Sequence, residues 1–198
     1  MKHYLSFDVE SVGLFGPPFA FGYVVVDETG KEHEAMLHAF DFRKSPFLHI
    51  YEPTTRSRWN FTEGDREWVT NNVVPALPEK WVNCVGLKDF LSSVYYDVWS
   101  RAHKDYENLT FVTDCPFPVE ANFVEVMLRE VSKRDMQHSP YPLIDVASVL
   151  LTVGLDPTGT FPRRENELPA HNPVNDARQS VRQMLEALEG LADLAPPV

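Results

Sequence analysis

The chain has 198 residues, 43% of them hydrophobic and 12% aromatic, with a formal net charge of −11. That length favours one domain, or one domain carrying an insertion, and that composition excludes a disordered chain. The negative charge excludes a protein that coats nucleic acid by neutralising phosphates, but permits an enzyme that draws one strand end into a metal-lined cleft, where bound cations reverse the local sign.

No apolar run approaches the roughly 20 residues that span a bilayer. The start, Met1 to Asp8, lacks the long apolar stretch and cleavage site of a secretory leader. Cys84 and Cys115 have no metal-ligand spacing and read as two free thiols in a reducing cytoplasm. The expected location is therefore cytoplasmic, with no membrane partner.

In chain order, Tyr4 to Val9 alternates: Leu5, Phe7 and Val9 face one way, and Tyr4, Ser6, Asp8 and Glu10 the other. Gly13, Gly16, Pro17 and Pro18 end that strand. A second strand is predicted from Ala20 to Asp27, a hairpin turn at Glu28-Thr29-Gly30-Lys31, and a third strand from Glu34 to Phe42, forming an antiparallel meander. The stretch 43–81, punctuated by Pro46, Pro53, Pro75 and Pro78, reads as an irregular insertion with a short helix at Asp65 to Val74. Leu87 to His103 reads as a regular helix with Phe90, Leu91, Val94, Val98 and Trp99 in one stripe. A strand at Leu109 to Val112 follows, then helices at Val119 to Ser132 and Asp145 to Val153. The last helix carries Val174, Ala177, Val181, Met184, Leu185 and Leu188 inward; Asn172 caps it, Pro173 begins it and Gly190 ends it.

Three groups of residues carry chemistry. Asp8-Val9-Glu10 puts two carboxylates on one face of a strand, where they can share hard divalent cations. The segment His171-Asn172-Pro173-Val174-Asn175-Asp176 puts a histidine just before a helix and an acid in its first turn. Asp114 follows the strand Leu109 to Val112 directly and can face the same cleft; singly, it also reads as a helix cap.

Together these motifs resemble the DEDD exonuclease superfamily in its histidine (DEDDh) variant. Phe7 to Leu14 looks like its first motif, Leu143 to Ala147 like the segment before its third, and His171 to Ala177 like that third motif. Glu67 to Pro78 is similar to a segment of small exoribonucleases of the RNase AS type. The second motif departs from the pattern: Asp114 matches the usual residue type, while Glu120, in the next helix's first turn, matches the usual location.

The resemblance implies an α/β fold, an RNase H-like mixed sheet with an antiparallel three-strand meander flanked by helices. It implies a 3′–5′ exonuclease releasing nucleoside 5′-monophosphates from the 3′ end of single-stranded RNA or DNA, with RNA favoured by the RNase AS-like segment. Asp8, Glu10, Asp176 and Asp114, with Glu120 as rival, would hold two divalent ions, Mg²⁺ or Mn²⁺. His171 would be the general base, since imidazole titrates near neutral pH. Ser11, Gly13 and Leu14 would cradle the terminal nucleotide. Arg163 and Arg164 read either as phosphate contacts or as a solvated loop. Some relatives suggest a homodimer. The competing readings are a catalytically inactive RNase H-like binding or interaction module and an RNase H-like endonuclease.

Overall fold

The protein is described by a computed structural model that places residues 1–44, 59–78, 81–131, 140–158 and 161–194, with side chains described to residue 190. Its centre is a six-stranded sheet in the order β4-β3-β2-β1-β5-β6. β1 (His3–Ser11), β2 (Pro18–Asp27) and β3 (Glu32–Ala39) form the expected antiparallel meander. β5 (Leu109–Thr113) adds parallel to β1, and β6 (Leu143–Asp145) parallel to β5. β4 (Val82–Asn83) pairs in parallel with the far edge of β3.

The helices are α1 (Glu63–Asn72), α2 (Leu87–Ser93), α3 (Arg101–Asp105), α4 (Val119–Glu130), α5 (Val146–Thr152) and α6 (Pro173–Leu194). The period-two alternation of β1 decides which cover lies on which face. Phe7 pairs with Tyr23 and Val9 with Phe21 across the β1–β2 ladder. On that face Trp99 packs against Phe7 and Phe21 at 5.3 Å and stacks on Phe111 at 5.6 Å, and Phe123 of α4 stacks on Phe21 at 5.4 Å. The opposite face, carrying Asp8 paired with Gly22, receives α6.

Several sequence expectations need correction. The third strand stops at Ala39, short of Phe42: Phe40 N–H bonds back to Phe19 O at 3.0 Å, and Phe42–Lys44 turns into a 3-10 helix with Arg43 and Lys44 paired to Asp41. The helix in the insertion runs Glu63–Asn72 rather than 65–74, because Thr62 and Asp65 form a reciprocal capping box one turn earlier. Pro46 and Pro53 lie outside the described residues. Leu87 to His103 is not a regular helix: Val94–Ser100 is a π segment, whose wider turn buries Val94, Tyr95, Val98 and Trp99 together.

The strand at 109 extends one residue further, to Thr113. The helix from Val119 ends at Glu130, and Ser132 is outside the described residues. Asp145 closes β6 instead of starting a helix, and α5 ends at Thr152. α6 runs through Gly190 to Leu194, since Gly190 keeps a right-handed backbone, and Leu188 is 39% exposed while Ala187 is buried. Both cysteines are free. Among the described residues no helix is long and apolar enough to cross a membrane.

Candidate active site

Asp8 and Glu10 project from the α6 face of β1, next to a register shift between Glu10 and Ser11 that ends regular pairing with β2. Opposite Asp8 is Gly22. A Cβ there would lie 2.3 Å from the Val174 nitrogen and 2.4 Å from the Pro173 carbonyl carbon. The missing side chain therefore lets the first turn of α6 lie directly on the sheet beside Asp8. That turn starts as expected: the Asn172 side-chain oxygen accepts from Val174 N–H at 3.2 Å, and its amide donates to Ala76 O at 3.1 Å. Asp176 N–H bonds Asn172 O at 2.9 Å, which sets Asp176 in the first turn.

The outcome is a three-carboxylate cluster. One ligand oxygen each from Asp8, Glu10 and Asp176 lie within 4.8 Å of one another. Asp8 is held well above the usual carboxylate range, first by burial and then by the charges of Glu10, Glu120, Asp176 and Asp114. Glu10 is pushed up to about 8 by burial and then by Asp176 and Glu120. Asp176 is raised by burial, although Arg163 and the nearby His171 work against the rise. Carboxylates so placed repel one another and lack water, and a divalent cation relieves both penalties.

The two rivals for the further acid sit differently. Asp114 is exposed just beyond β5 and is raised by loss of water around its carboxyl group, then by Asp145 and Asp176. Glu120 is only 6% exposed, in the first turn of α4, and one of its oxygens accepts from Val9 N–H at 3.4 Å. Burial pushes it up to about 7. Both lie outside the tight trio, and Glu120 acts on both Asp8 and Glu10.

His171 is exposed and sits at φ 62°, the left-handed region that a side chain other than glycine's enters at a cost. Its ring meets the edge of Trp68 at 5.4 Å. Trp68, half exposed on the polar helix α1, joins the site through this contact. Its signal in the sequence is an indole among acids and asparagines with no apolar stripe to join. Beside Glu10, the residues Val9, Ser11, Gly13, Leu14, Asp65, Trp68, Val69 and Val119 line a pocket of about 270 Å³. Gly13 permits it: at φ 72° a Cβ would meet the Asp65 carboxyl carbon at 2.9 Å, so the loop after β1 lies close on α1. Ser11 turns inward, its hydroxyl donating to Gly13 O at 2.6 Å. Gly22 and Trp68 are thus the residues whose importance tertiary contact reveals, while Glu120, the rival read from the sequence, is found buried against β1.

The sheet order, strand directions and helical layers define an RNase H-like α/β fold, as expected. Among solved structures, the chain is similar to the zinc ion-bound form of the E. coli ExoI–ssDNA complex, with a TM-score of 0.56 and 10% identity, over 96% of this chain. It spans 41% of that protein's length. No protein-family model matches the sequence, and neither does any curated protein.

Proposed function

We propose that this protein is a metal-dependent 3′–5′ exonuclease that releases nucleoside 5′-monophosphates from single-stranded 3′ ends, with residues 1–198 as one domain and 43–81 as its insertion. The observation that carries the reading is the Asp8, Glu10 and Asp176 cluster, whose ligand oxygens lie within 4.8 Å. It occurs in a fold shared with ExoI, a protein seen with zinc and single-stranded DNA. The donor set fits hard divalent cations: it is all oxygen, crowded, and short of positive charge. Two ions, Mg²⁺ or Mn²⁺, would supply the charge that acidifies the attacking water and stabilises the departing 3′ oxygen.

Asp8, Glu10 and Asp176 would hold the ions, with a fourth acid from the pair Asp114 and Glu120. Residue type favours Asp114; the action of Glu120 on both Asp8 and Glu10 supports Glu120. An imidazole nitrogen of His171 would take the water's proton, from a ring steadied by Trp68. The pocket of Ser11, Gly13, Leu14 and Trp68 would take the terminal nucleotide, its indole and leucine matching the flat apolar faces of a base. A catalytically inactive binding module with this fold has no need of so many raised carboxylates in one place, which favours the enzyme.

The test is digestion of single-stranded DNA and RNA, labelled at the 5′ end, by purified protein with Mn²⁺ or Mg²⁺. Stepwise shortening that EDTA stops is expected, with Asp114→Asn and Glu120→Gln compared to identify the fourth acid. Internal cuts would replace the reading by an endonuclease, and intact strands under every metal would replace it by a binding module.

A further inference from the structure

Arg163 and Arg164 are neighbours in sequence with opposite fates. Arg164 has an extended backbone, so successive side chains diverge. Its Nη2 donates to Glu186 at 2.7 Å, and the side chain is 62% exposed among the charged residues along α6. Arg163 turns to the acid cluster instead. Its Nη1 donates to Asp176 Oδ1 at 2.5 Å and to the Glu167 carbonyl at 3.0 Å. Its charge also acts on Asp114.

The way Arg163 is held separates it from the structural arginines of the same chain. Arg178 grips Glu32 through Nε at 2.8 Å and Nη2 at 2.9 Å. Arg182 grips Glu167 through Nε at 2.5 Å and Nη2 at 2.9 Å. Each spends its two-donor edge on a carboxylate. Arg163 is anchored through Nη1 alone, and among the described residues its Nε and Nη2 have no hydrogen-bond partner. A quarter of the side chain remains exposed. An arginine kept only as a counter-ion gains most by bidentate pairing. Here the edge that would make that pair is left open, one hydrogen bond away from an acid of the cluster.

We infer that Arg163 is a phosphate-binding residue: it presents Nε–H and Nη2–H to the phosphate of a nucleoside 5′-monophosphate unit, while Nη1 stays on Asp176. The inference rests on the nucleotide-cleaving reading of this cluster and deepens it. The residue also places a fixed positive charge where a chain of net charge −11 must receive an anion.

The test is calorimetric binding of thymidine 5′-monophosphate and of thymidine to the full-length protein with Mn²⁺ present, with Mn²⁺ affinity titrated separately. In Arg163→Ala the affinity for the monophosphate is expected to fall about 10- to 100-fold, while thymidine binding stays at the wild-type level and Mn²⁺ affinity is not weakened, since the charge removed from beside Asp176 repels the cation. Arg163→Lys, which keeps the charge and loses the fork, should fall between, and Arg164→Ala should match wild type. Wild-type binding of the monophosphate by Arg163→Ala overturns the inference, and so does a wild-type protein that binds no monophosphate. A parallel loss of Mn²⁺ affinity would make Arg163 a residue that orients Asp176, and the phosphate role would fall. If wild type binds the monophosphate through Arg163 yet digests no strand, the nuclease reading fails and this assignment stands.

Discussion

Helix α6 carries two charged regions that solve opposite problems. At its start, Asp176 joins Asp8 and Glu10 with Arg163 as the cation in contact, and the carboxyl groups are raised. Further along, Arg178 pairs with Glu32, and Arg182 with Glu167 and Glu186. Glu167 is only 2% exposed, yet its carboxyl is held below the usual range, because the Arg182 and Arg164 bonds outweigh its burial. Both regions enclose acids, Glu167 in one and the Asp8, Glu10 and Asp176 trio in the other. In the first every acid has a guanidinium partner; in the second three acids face one another with Arg163 alone in contact. The difference teaches that burial alone does not mark a site. A shortage of counter-charge does, because the fold accepts repulsion there that it removes a few turns away.

Replacing one acid on each side breaks the comparison most sharply. Asp8→Asn should abolish strand digestion and Mn²⁺ binding while raising the thermal midpoint of the metal-free protein, because a buried repulsive charge is gone. A lower midpoint together with normal activity would show that Asp8 serves structure. Glu167→Ala should do the reverse to stability and lower it by about 3 kcal/mol, since Arg182 is left without its main partner. Urea unfolding reads this, and a change near zero would mean that the pairing contributes nothing.

Gly22→Ala tests how α6 reaches the acids. The added methyl cannot share space with Pro173 and Val174, so we expect a loss of roughly 1–3 kcal/mol and a weaker Mn²⁺ site as Asp176 moves off β1. Unchanged Mn²⁺ titration would refute the close-approach account.

The smallest effect is the pH dependence of the metal-free protein. Glu10 at about 8 and Glu120 at about 7 stand above the 4.5 of a free glutamate. Between those values the folded chain holds protons that the unfolded chain has released. Their contribution is therefore full below about 4.5 and is lost as pH rises toward 8. Glu167 and Asp41, held low by arginine, act oppositely and lose their contribution in acid. With EDTA, the urea midpoint should fall between pH 5 and pH 8.5, and Mn²⁺ should restore it at the alkaline end. A midpoint that climbs with pH under EDTA would remove the claim that the cluster is strained without metal.

Much of this was legible along the chain. Alternation in Tyr4 to Val9 set Asp8 and Glu10 on one face, because a strand repeats every two residues whatever surrounds it. The meander followed from its turn residues, and the start of α6 from Asn172 and Pro173, since these are local preferences that tertiary contacts left in force. Short elements were less legible. β4 and β6 have two and three residues, too few to show a period, and exist because a neighbouring strand offers its edge. The π segment depends on which residues the sheet must cover.

The sequence by itself determined the face of β1 from which Asp8 and Glu10 project and the turn of α6 that carries Asp176, because strand and helix periods are properties of the local backbone. Only the tertiary structure decided which of those groups meet. Gly22 brings the first turn of α6 onto β1, Trp68 comes against His171 from another helix, and of two adjacent arginines one is spent on Glu186 while the other reaches Asp176. The physical reason is that charge coupling and steric contact fall off over a few ångströms in space, whereas these residues lie up to 168 positions apart in the chain, counting from Asp8 to Asp176.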